Sequence, residues 1–170
     1  MFIFLGDNGT PKDIVSNFKR GIVTGDKGQT TTYGTHVPFI VTWPRHIPAG
    51  RITSQLVDLT DFMPTLSDPT SSAISADIGV IDGKSFYPVI SGSNLSSRDY
   101  VFNHFQPFLD GNSKATRYVQ DSVYKQYESG KFYDMSIDIK ELSPILKYQM
   151  TTEEKAKQNY FQQIMGLMHN

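Results

Sequence analysis

Residues 1–9 read MFIFLGDNG, a short apolar run followed at once by a turn signal. The continuous apolar stretch Phe2–Leu5 is typical of a strand covered on both faces, as in a parallel sheet. It is too short for the apolar region of a signal peptide, which spans about 7–15 residues, and no basic residues precede it. We therefore predict a core strand, and an opening of this kind indicates a segment cut from something longer.

A second buried strand is predicted at Val37–Trp43, where Pro44 ends it. The intervening residues 10–35 show little periodicity and are predicted to be loop. A short helix with an early proline is expected over Thr60–Leu66, followed by a surface loop over residues 67–80. Two strands alone leave their edges unpaired. The remaining strands are therefore expected from an N-terminal segment, from another chain or from self-association.

After about residue 95 the sequence changes to short aromatic runs separated by turn signals, which is typical of an antiparallel meander. The tail is predicted to be a helix, because Thr151 and Glu154 have the spacing of a capping box. The predicted apolar stripe of that helix comprises Ala156, Tyr160, Phe161, Ile164, Leu167 and Met168. We predict an α/β fold: residues 1–95 complete a larger sheet, and residues 96–170 form a small antiparallel β subdomain with a closing helix.

Composition excludes several classes of protein. Sixteen Lys and Arg against seventeen Asp and Glu give a net charge of -1, which favours neither nucleic acid nor an anionic membrane as partner. No run of about 18 apolar residues is present, so no transmembrane span is predicted. The chain has no cysteine, which excludes disulfides, thiolate metal sites and a cysteine nucleophile within these 170 residues.

Two loops carry candidate site residues. Asp7 and Asn8 follow the first strand, and ligands of open α/β sheets bind at that edge. A carboxylate beside an amide carbonyl offers hard oxygen donors that suit Ca²⁺ or Mg²⁺. Lys27 stands in a glycine- and threonine-rich loop and could hold an anion as a point charge. Taken alone, these patterns favour a turn at Asp7 and Asn8 and a solvated surface lysine at Lys27.

Several motifs follow one another along the chain, beginning with Gly6–Gly9, Lys27–Thr30 and His36–Pro44. Their order resembles the sulfatase family of the alkaline-phosphatase superfamily. The resemblance implies that Asp7 and Asn8 are two ligands of the active-site divalent cation, usually calcium, and that Lys27 contacts the sulfate. It also implies an exported protein, whether periplasmic, secreted or lysosomal. The matching segments are Gly6–Gly9, Lys27–Thr30, His36–Pro44, Ile47–Gly50, Leu56–Leu66, Ile81–Phe86, Tyr124–Lys125 and Gly130–Asp134.

The sequence departs from the family pattern in ways that bear on substrate preference. Thr31–Gly34 replaces a Tyr-Glu-Gly-Gly-like stretch, and His36 stands where many members have arginine. His36 and His104 are possible substrate contacts, with packed or solvated histidines as the alternative. The family nucleophile is a formylglycine made from Cys or Ser in a Cys/Ser-x-Pro/Ala-x-Arg motif that precedes the Asp-Asn pair. Ser113–Arg117 fits its loosest form but follows that pair, so we interpret it as coincidence.

These observations predict a segment of a sulfatase that hydrolyses sulfate esters with a divalent cation and is inactive alone. The substrate of the parent enzyme is expected to be a sulfated small molecule or carbohydrate. A related phosphodiesterase, phosphatase or phosphonate hydrolase is one alternative, although those enzymes usually place Asp and His where this chain has Asp7 and Asn8. A non-catalytic remnant or binding module, or one chain of a split enzyme, are the others.

Overall fold

The computed structural model describes residues 1–18, 21–93, 97–108 and 114–168. The strands are β1 Phe2–Leu5, β2 Val15–Phe18, β3 Gly21–Thr24, β4 Phe39–Thr42, β5 Val101–Phe105, β6 Thr116–Gln120, β7 Tyr124–Tyr127 and β8 Phe132–Asp134. The α-helices are α1 Thr32–Thr35, α2 Phe62–Ser67, α3 Tyr87–Ser91 and α4 Thr152–Leu167. Single 3₁₀ turns span Leu59–Asp61, Asp68–Thr70 and Ala76–Ile78.

The chain divides into two compact units. The first unit comprises Met1–Ile3 and Val41–Val101, and the second comprises Phe4–Ile40 and Phe102–Asn170. All the candidate site residues named above belong to the second unit, which the following sections therefore treat in most depth.

Strands β1 and β4 pair in a two-stranded sheet, so both predicted strands are confirmed. The residues that the structure describes do not cover β1 on both faces. Side chains along β1 alternate in exposure, and Phe2 and Phe4 are 63% and 52% exposed. The reason is that the described residues give this strand one hydrogen-bonded neighbour and pack only one of its faces.

The prediction of a loop over residues 10–35 is wrong for part of that segment. Strands β2 and β3 form an antiparallel hairpin whose register runs from Val15 opposite Thr24 to Phe18 opposite Gly21. Gly21 has φ of +106°, a left-handed conformation that glycine adopts without strain. Val15 and Ile22 are exposed. None of the described side chains of the hairpin is fully buried, and its sequence lacks the apolar–polar alternation that indicates a strand.

The first unit is held together by buried polar contacts around α2. The predicted helix is confirmed, although a 3₁₀ turn that begins at Leu59 leads into it and Asp58 caps that turn. The buried Thr65 hydroxyl donates to the Asp61 carbonyl at 2.6 Å and accepts the Phe86 N–H at 2.9 Å. These bonds tie α2 to the start of α3.

The second unit ends in a four-stranded sheet with the order β5-β6-β7-β8. Strands β6, β7 and β8 pair antiparallel, which confirms the predicted meander. Helix α4 packs against β6 and β7. Its capping box is present: Thr151 Oγ1 accepts the Glu154 N–H at 3.2 Å, and the Glu154 carboxylate accepts the Thr151 N–H at 2.7 Å.

The predicted apolar stripe of α4 is only partly correct. Phe161 and Ile164 are buried as predicted, but Leu167 is 75% exposed. The buried face includes Gln158, and Lys157 beside it forms an ion pair with Asp121 at 2.9 Å. Polar side chains thus share the buried face, so counting apolar positions misplaced it by part of a turn.

Candidate functional site

Three backbone hydrogen bonds hold the turn after β1 against neighbouring segments. The N–H of Gly6 donates to the Pro38 carbonyl at 3.1 Å, and that of Gly9 to the Gly34 carbonyl at 2.9 Å. The Lys27 N–H donates to the Thr10 carbonyl at 3.0 Å. The turn that carries Asp7 and Asn8 and the loop that carries Lys27 are therefore adjacent.

The two segments approach with backbone packed on backbone. A Cβ atom on Gly9 would lie 2.0 Å from the Tyr33 carbonyl oxygen, and one on Gly34 would lie 2.2 Å from the Gln29 carbonyl oxygen. Both distances are far inside van der Waals contact. Glycine is thus required at both positions for this approach, whatever residue might fit the local dihedral angles.

The side chains of the candidate residues face solvent. Asp7 and Lys27 are exposed, and Asn8 is half-buried. Within the described ranges, these three side chains make no hydrogen bond or ion pair. Asp26, next to Lys27, instead accepts the Thr31 hydroxyl and lies 3.8 Å from the Lys12 ammonium. The loop therefore uses its own carboxylate internally and presents Lys27 outward.

The donor set of Asp7 and Asn8 fits a hard cation only in part. A carboxylate and an amide oxygen are suitable ligands for Ca²⁺, which takes about 6–8 oxygens. No cluster of three or more His, Asp or Glu residues able to hold a metal is present in the described part of the chain. Asp7 and Asn8 would hold such an ion only together with further oxygen ligands.

The two candidate histidines are exposed and stand apart from these loops in their contacts. The backbone N–H of His36 donates to the Thr32 carbonyl at 2.8 Å and closes α1. His104 lies on β5. Neither side chain bonds to Asp7 or Lys27 among the described residues, and their substrate-contact roles remain predictions. Ser113, the first residue of the coincidental nucleophile motif, lies outside the described residues.

Sequence reasoning missed a buried cluster that contacts the Lys27 loop at Thr30. The buried lysine cluster consists of Thr30, Tyr118, Lys125, Tyr127 and Glu141. The side chain of Lys125 is fully buried, and its ammonium donates to Glu141 Oε1 at 2.8 Å and to the Thr30 carbonyl. The Lys125 Nζ atom lies 4.0 Å from the centre of the Tyr118 ring and 5.0 Å from that of Tyr127, so cation–π attraction adds to the ion pair.

The hydroxyl groups of the cluster complete its hydrogen bonding. Tyr127 donates to Glu141 Oε2, and the Thr30 hydroxyl lies 3.2 Å from the Tyr127 oxygen. Burial lowers the pKa of Lys125, and the bond to Glu141 partly offsets this. Burial, followed by the bond to Glu141, raises the pKa of Tyr127. The sequence contained one signal, the Tyr124–Lys125 motif, but nothing identified its partner Glu141.

A partly open cavity of about 550 Å³ adjoins this cluster. The ion pair between Arg117 and Glu128, with an N–O distance of 3.1 Å, lies on its wall. Its lining also includes Thr31, Lys131 and Tyr133, together with cluster members Thr30, Tyr127 and Glu141. The wall therefore combines aromatic rings with both signs of charge.

Several curated sulfatases are similar to this chain. An ulvan-active sulfatase of Formosa agariphila is 31% identical over 54% of this chain and 18% of its own length. The N-acetylgalactosamine-6-sulfatase of Canis lupus familiaris is 34% identical over 75% of this chain and 25% of its own length. An arylsulfatase of Clostridium perfringens is 24% identical over 97% of this chain and 32% of its own. The matched part of this chain covers between 14% and 32% of the length of these relatives.

The solved structure of a 2-O GAG sulfatase is similar in fold, with a TM-score of 0.60 and 22% identity over 84% of this chain and 32% of that one. The architecture is that of the C-terminal part of an alkaline-phosphatase-like sulfatase fold, with its small antiparallel sheet and closing helix. The family model for the C-terminal region of N-sulphoglucosamine sulphohydrolase matches residues 26–168, and the chain belongs to that family. Among the described residues, no helix is both long and apolar enough to cross a membrane.

Proposed function

We propose that this chain is the C-terminal segment of a sulfatase in which Asp7 and Asn8 contribute two ligands to a calcium ion and Lys27 binds the sulfate ester. One observation carries the proposal. The Gly9–Gly34 and Lys27–Thr10 hydrogen bonds hold the turn with the oxygen donors against the loop with the free cation. The oxygen ligands can hold an electrophilic metal ion, and the ammonium group can stabilise the negative sulfuryl oxygens. Both interactions assist the hydrolysis of a sulfate ester.

Each residue has a distinct role in this proposal. Asp7 supplies a negative charge and Asn8 a neutral oxygen, a combination that suits a hard divalent cation. A bound calcium ion would supply electrophilic stabilisation of the sulfuryl oxygens. The Lys27 ammonium binds the same group as a point charge, and its exposure leaves its three donors available.

We propose further that the 170-residue chain alone does not hydrolyse sulfate esters. Two oxygen donors are fewer than a calcium site requires. The chain also has no cysteine, and its one loose match to the nucleophile motif follows the Asp-Asn pair. The whole enzyme is proposed to act on a sulfated carbohydrate or a sulfated small molecule, and the names of its relatives include both kinds of substrate.

The remaining strands and ligands are proposed to come from an N-terminal sulfatase segment that pairs with the β1–β4 sheet. The exposed Phe2, Phe4 and Ile40 support this, since such an apolar sheet surface is unfavourable in water. A second copy of the chain is the competing occupant. Sedimentation of the chain alone and with the segment distinguishes them, because only self-association depends on the concentration of the chain by itself.

The test is calcium titration calorimetry on the chain, with and without a co-expressed N-terminal sulfatase segment. We expect binding only in the pair, and its loss on Asp7→Ala. Asp13→Ala is the matched control, since Asp13 is another exposed carboxylate nearby in the sequence. Binding in the pair that survives Asp7→Ala would refute the ligand assignment. No binding in either case would favour the turn interpretation and a non-catalytic module.

A further inference from the structure

The buried lysine cluster contacts the same loop that carries Lys27. Lys125 donates to the carbonyl of Thr30, which is three residues beyond Lys27 and 95 residues away from Lys125 along the chain. Tyr127 contacts the Thr30 hydroxyl. The link between the C-terminal sheet and this loop thus uses the carbonyl and the hydroxyl of a single threonine.

The loop is fixed to other parts of the chain at two points, at the backbone of Lys27 and at Thr30. On one side the Lys27 N–H bonds to Thr10. On the other side Thr30 bonds to Lys125 and Tyr127. Lys27, Gly28 and Gln29 are exposed between these anchors. Loss of the second anchor would therefore remove the contacts of this loop with the C-terminal sheet while leaving the bond between Lys27 and Thr10 intact.

A buried ion pair is not needed to pack this side of the sheet, because apolar side chains would stabilise it as well. Lys125 is fully buried, and the side chain of Glu141 is 4% exposed. Burying an ion pair is often no better for stability than well-packed apolar side chains of similar volume. Glu141 also has φ of +57°, a left-handed conformation that is uncommon for residues other than glycine. Strain of this kind persists where the surrounding structure fixes it, and it concentrates near functional sites.

We propose that Lys125, Tyr127 and Glu141 are positioning residues that hold the loop of residues 26–31 and thereby place the Lys27 ammonium for sulfate. The position of the loop is a claim about this chain alone, whereas the consequence for sulfate rests on the proposed function of Lys27. Glu141 fixes both the Lys125 ammonium and the Tyr127 hydroxyl, and those two groups fix Thr30.

The experiment combines amide hydrogen exchange with titration of inorganic sulfate, both followed by NMR on the 170-residue chain. The informative amides are those of Lys27 and Gln29, which bond to the Thr10 and Asp26 carbonyls. The amide of Met135, which bonds to Val123 in the adjoining sheet region, is the internal reference. The variants are Lys125→Met, Glu141→Gln and Tyr127→Phe. Lys157→Met is the matched control, because Lys157 forms its ion pair from α4 to Asp121 instead of with the loop.

We expect Lys125→Met to speed amide exchange at Gln29 by at least about tenfold relative to Met135. The affinity for sulfate, measured from the shifts of the Lys27 and Gly28 amide signals, should fall by a similar factor. Tyr127→Phe should show a smaller change in the same direction, and Lys157→Met none. Unchanged exchange in folded Lys125→Met would overturn the positioning role and leave the sulfatase proposal intact.

Two further outcomes are also decisive. If Lys125→Met does not fold, the exchange rates of Tyr127→Phe and Glu141→Gln decide, since these variants remove only a hydroxyl or a charge. If sulfate does not shift the Lys27 amide even in the unmodified chain, the proposed role of Lys27 fails. Exchange at Gln29 then decides the positioning claim by itself: faster exchange in the variants supports it, and equal exchange refutes it.

Discussion

Two buried ion pairs in the described part of the chain differ in how far along the sequence their contacts extend. In the first unit, Arg98 forms a two-pronged bond with Asp61, and the Nε–Oδ2 distance is 2.8 Å. The Asp61 carboxylate also accepts the N–H groups of Asp58 and Lys84 at 2.8 and 2.7 Å. In the second unit, Lys125 meets Glu141 through one oxygen and bonds in addition to a distant loop.

The difference follows from the two cations. A guanidinium group is planar and fits a carboxylate edge on, so Arg98 and Asp61 satisfy each other together with the backbone around them. An ammonium group has three donors that point apart, so Lys125 can bind Glu141 and still reach the Thr30 carbonyl. The first pair therefore joins two segments that are 37 residues apart, whereas Lys125 also reaches a residue 95 positions away.

The largest expected effect comes from breaking the closed pair. Arg98→Met should reduce the free energy of unfolding by about 3–5 kcal/mol, because it leaves the Asp61 carboxylate buried without a cation. Urea denaturation measures the loss. Arg117→Met is the control, since the ion pair of Arg117 with Glu128 is partly exposed and should contribute less than about 1 kcal/mol. Equal losses in the two variants would show that burial does not determine how much each ion pair contributes to stability.

Breaking the connecting pair should have a smaller effect on stability. Lys125→Met should lower the free energy of unfolding by about 2–3 kcal/mol, because the methionine can still pack between the two tyrosine rings while Glu141 loses its cation. The same denaturation experiment measures this. A loss as large as that of Arg98→Met would mean that the main role of Lys125 is to stabilise the fold.

The ion pair of the partly exposed Lys157 with Asp121 should contribute less than either buried pair. Lys157→Met should reduce stability by less than about 1 kcal/mol, because water reaches the lysine side of this pair. Asp121 also keeps the N–H groups of Val123 and Tyr124 as donors. Thermal unfolding compared with the unmodified chain tests this, and a loss above about 2 kcal/mol would contradict it.

The alkaline pH dependence of stability should change with Tyr127→Phe. The pKa of Tyr127 is raised above its ordinary value of 10.0 by burial and by Glu141. Above pH 10 the unfolded phenol loses its proton while the folded one keeps it, so stability falls as pH rises. The phenylalanine variant should show a shallower fall between pH 10 and 12. The difference between the two slopes should stay below about 1.4 kcal/mol per pH unit, the value for a group that loses one whole proton only on unfolding. It should be smaller because the phenol is half-exposed. Identical slopes in urea denaturation would refute it.

Local signals in the sequence predicted the local structure well. The capping box at Thr151 and Glu154 is confirmed because a cap depends on residues three positions apart. The hairpin β2–β3 was missed because most of its described side chains are exposed and its sequence does not alternate between apolar and polar residues. The position of Lys125 could not be predicted, since its burial depends on Glu141, which lies in an irregular segment with an unusual backbone conformation.

The candidate site was only partly accessible from sequence. Turn chemistry and the resemblance to sulfatases singled out Asp7, Asn8 and Lys27, and these remain predictions as ligands. Their adjacency rests on hydrogen bonds between backbone groups, which every residue but proline can donate. A sequence cannot reveal which of its many identical amide groups will pair.

The close approach of Gly9 and Gly34 has a consequence for how this protein tolerates mutation. A Cβ at either position would overlap a carbonyl oxygen, so even alanine must push two backbone segments apart. A saturation library selected for folded protein should therefore recover only the parental residue at these two sites. It should accept many residues at exposed Asp7 and Lys27. Selection for folding alone would thus preserve the frame of the site while its charged groups drifted.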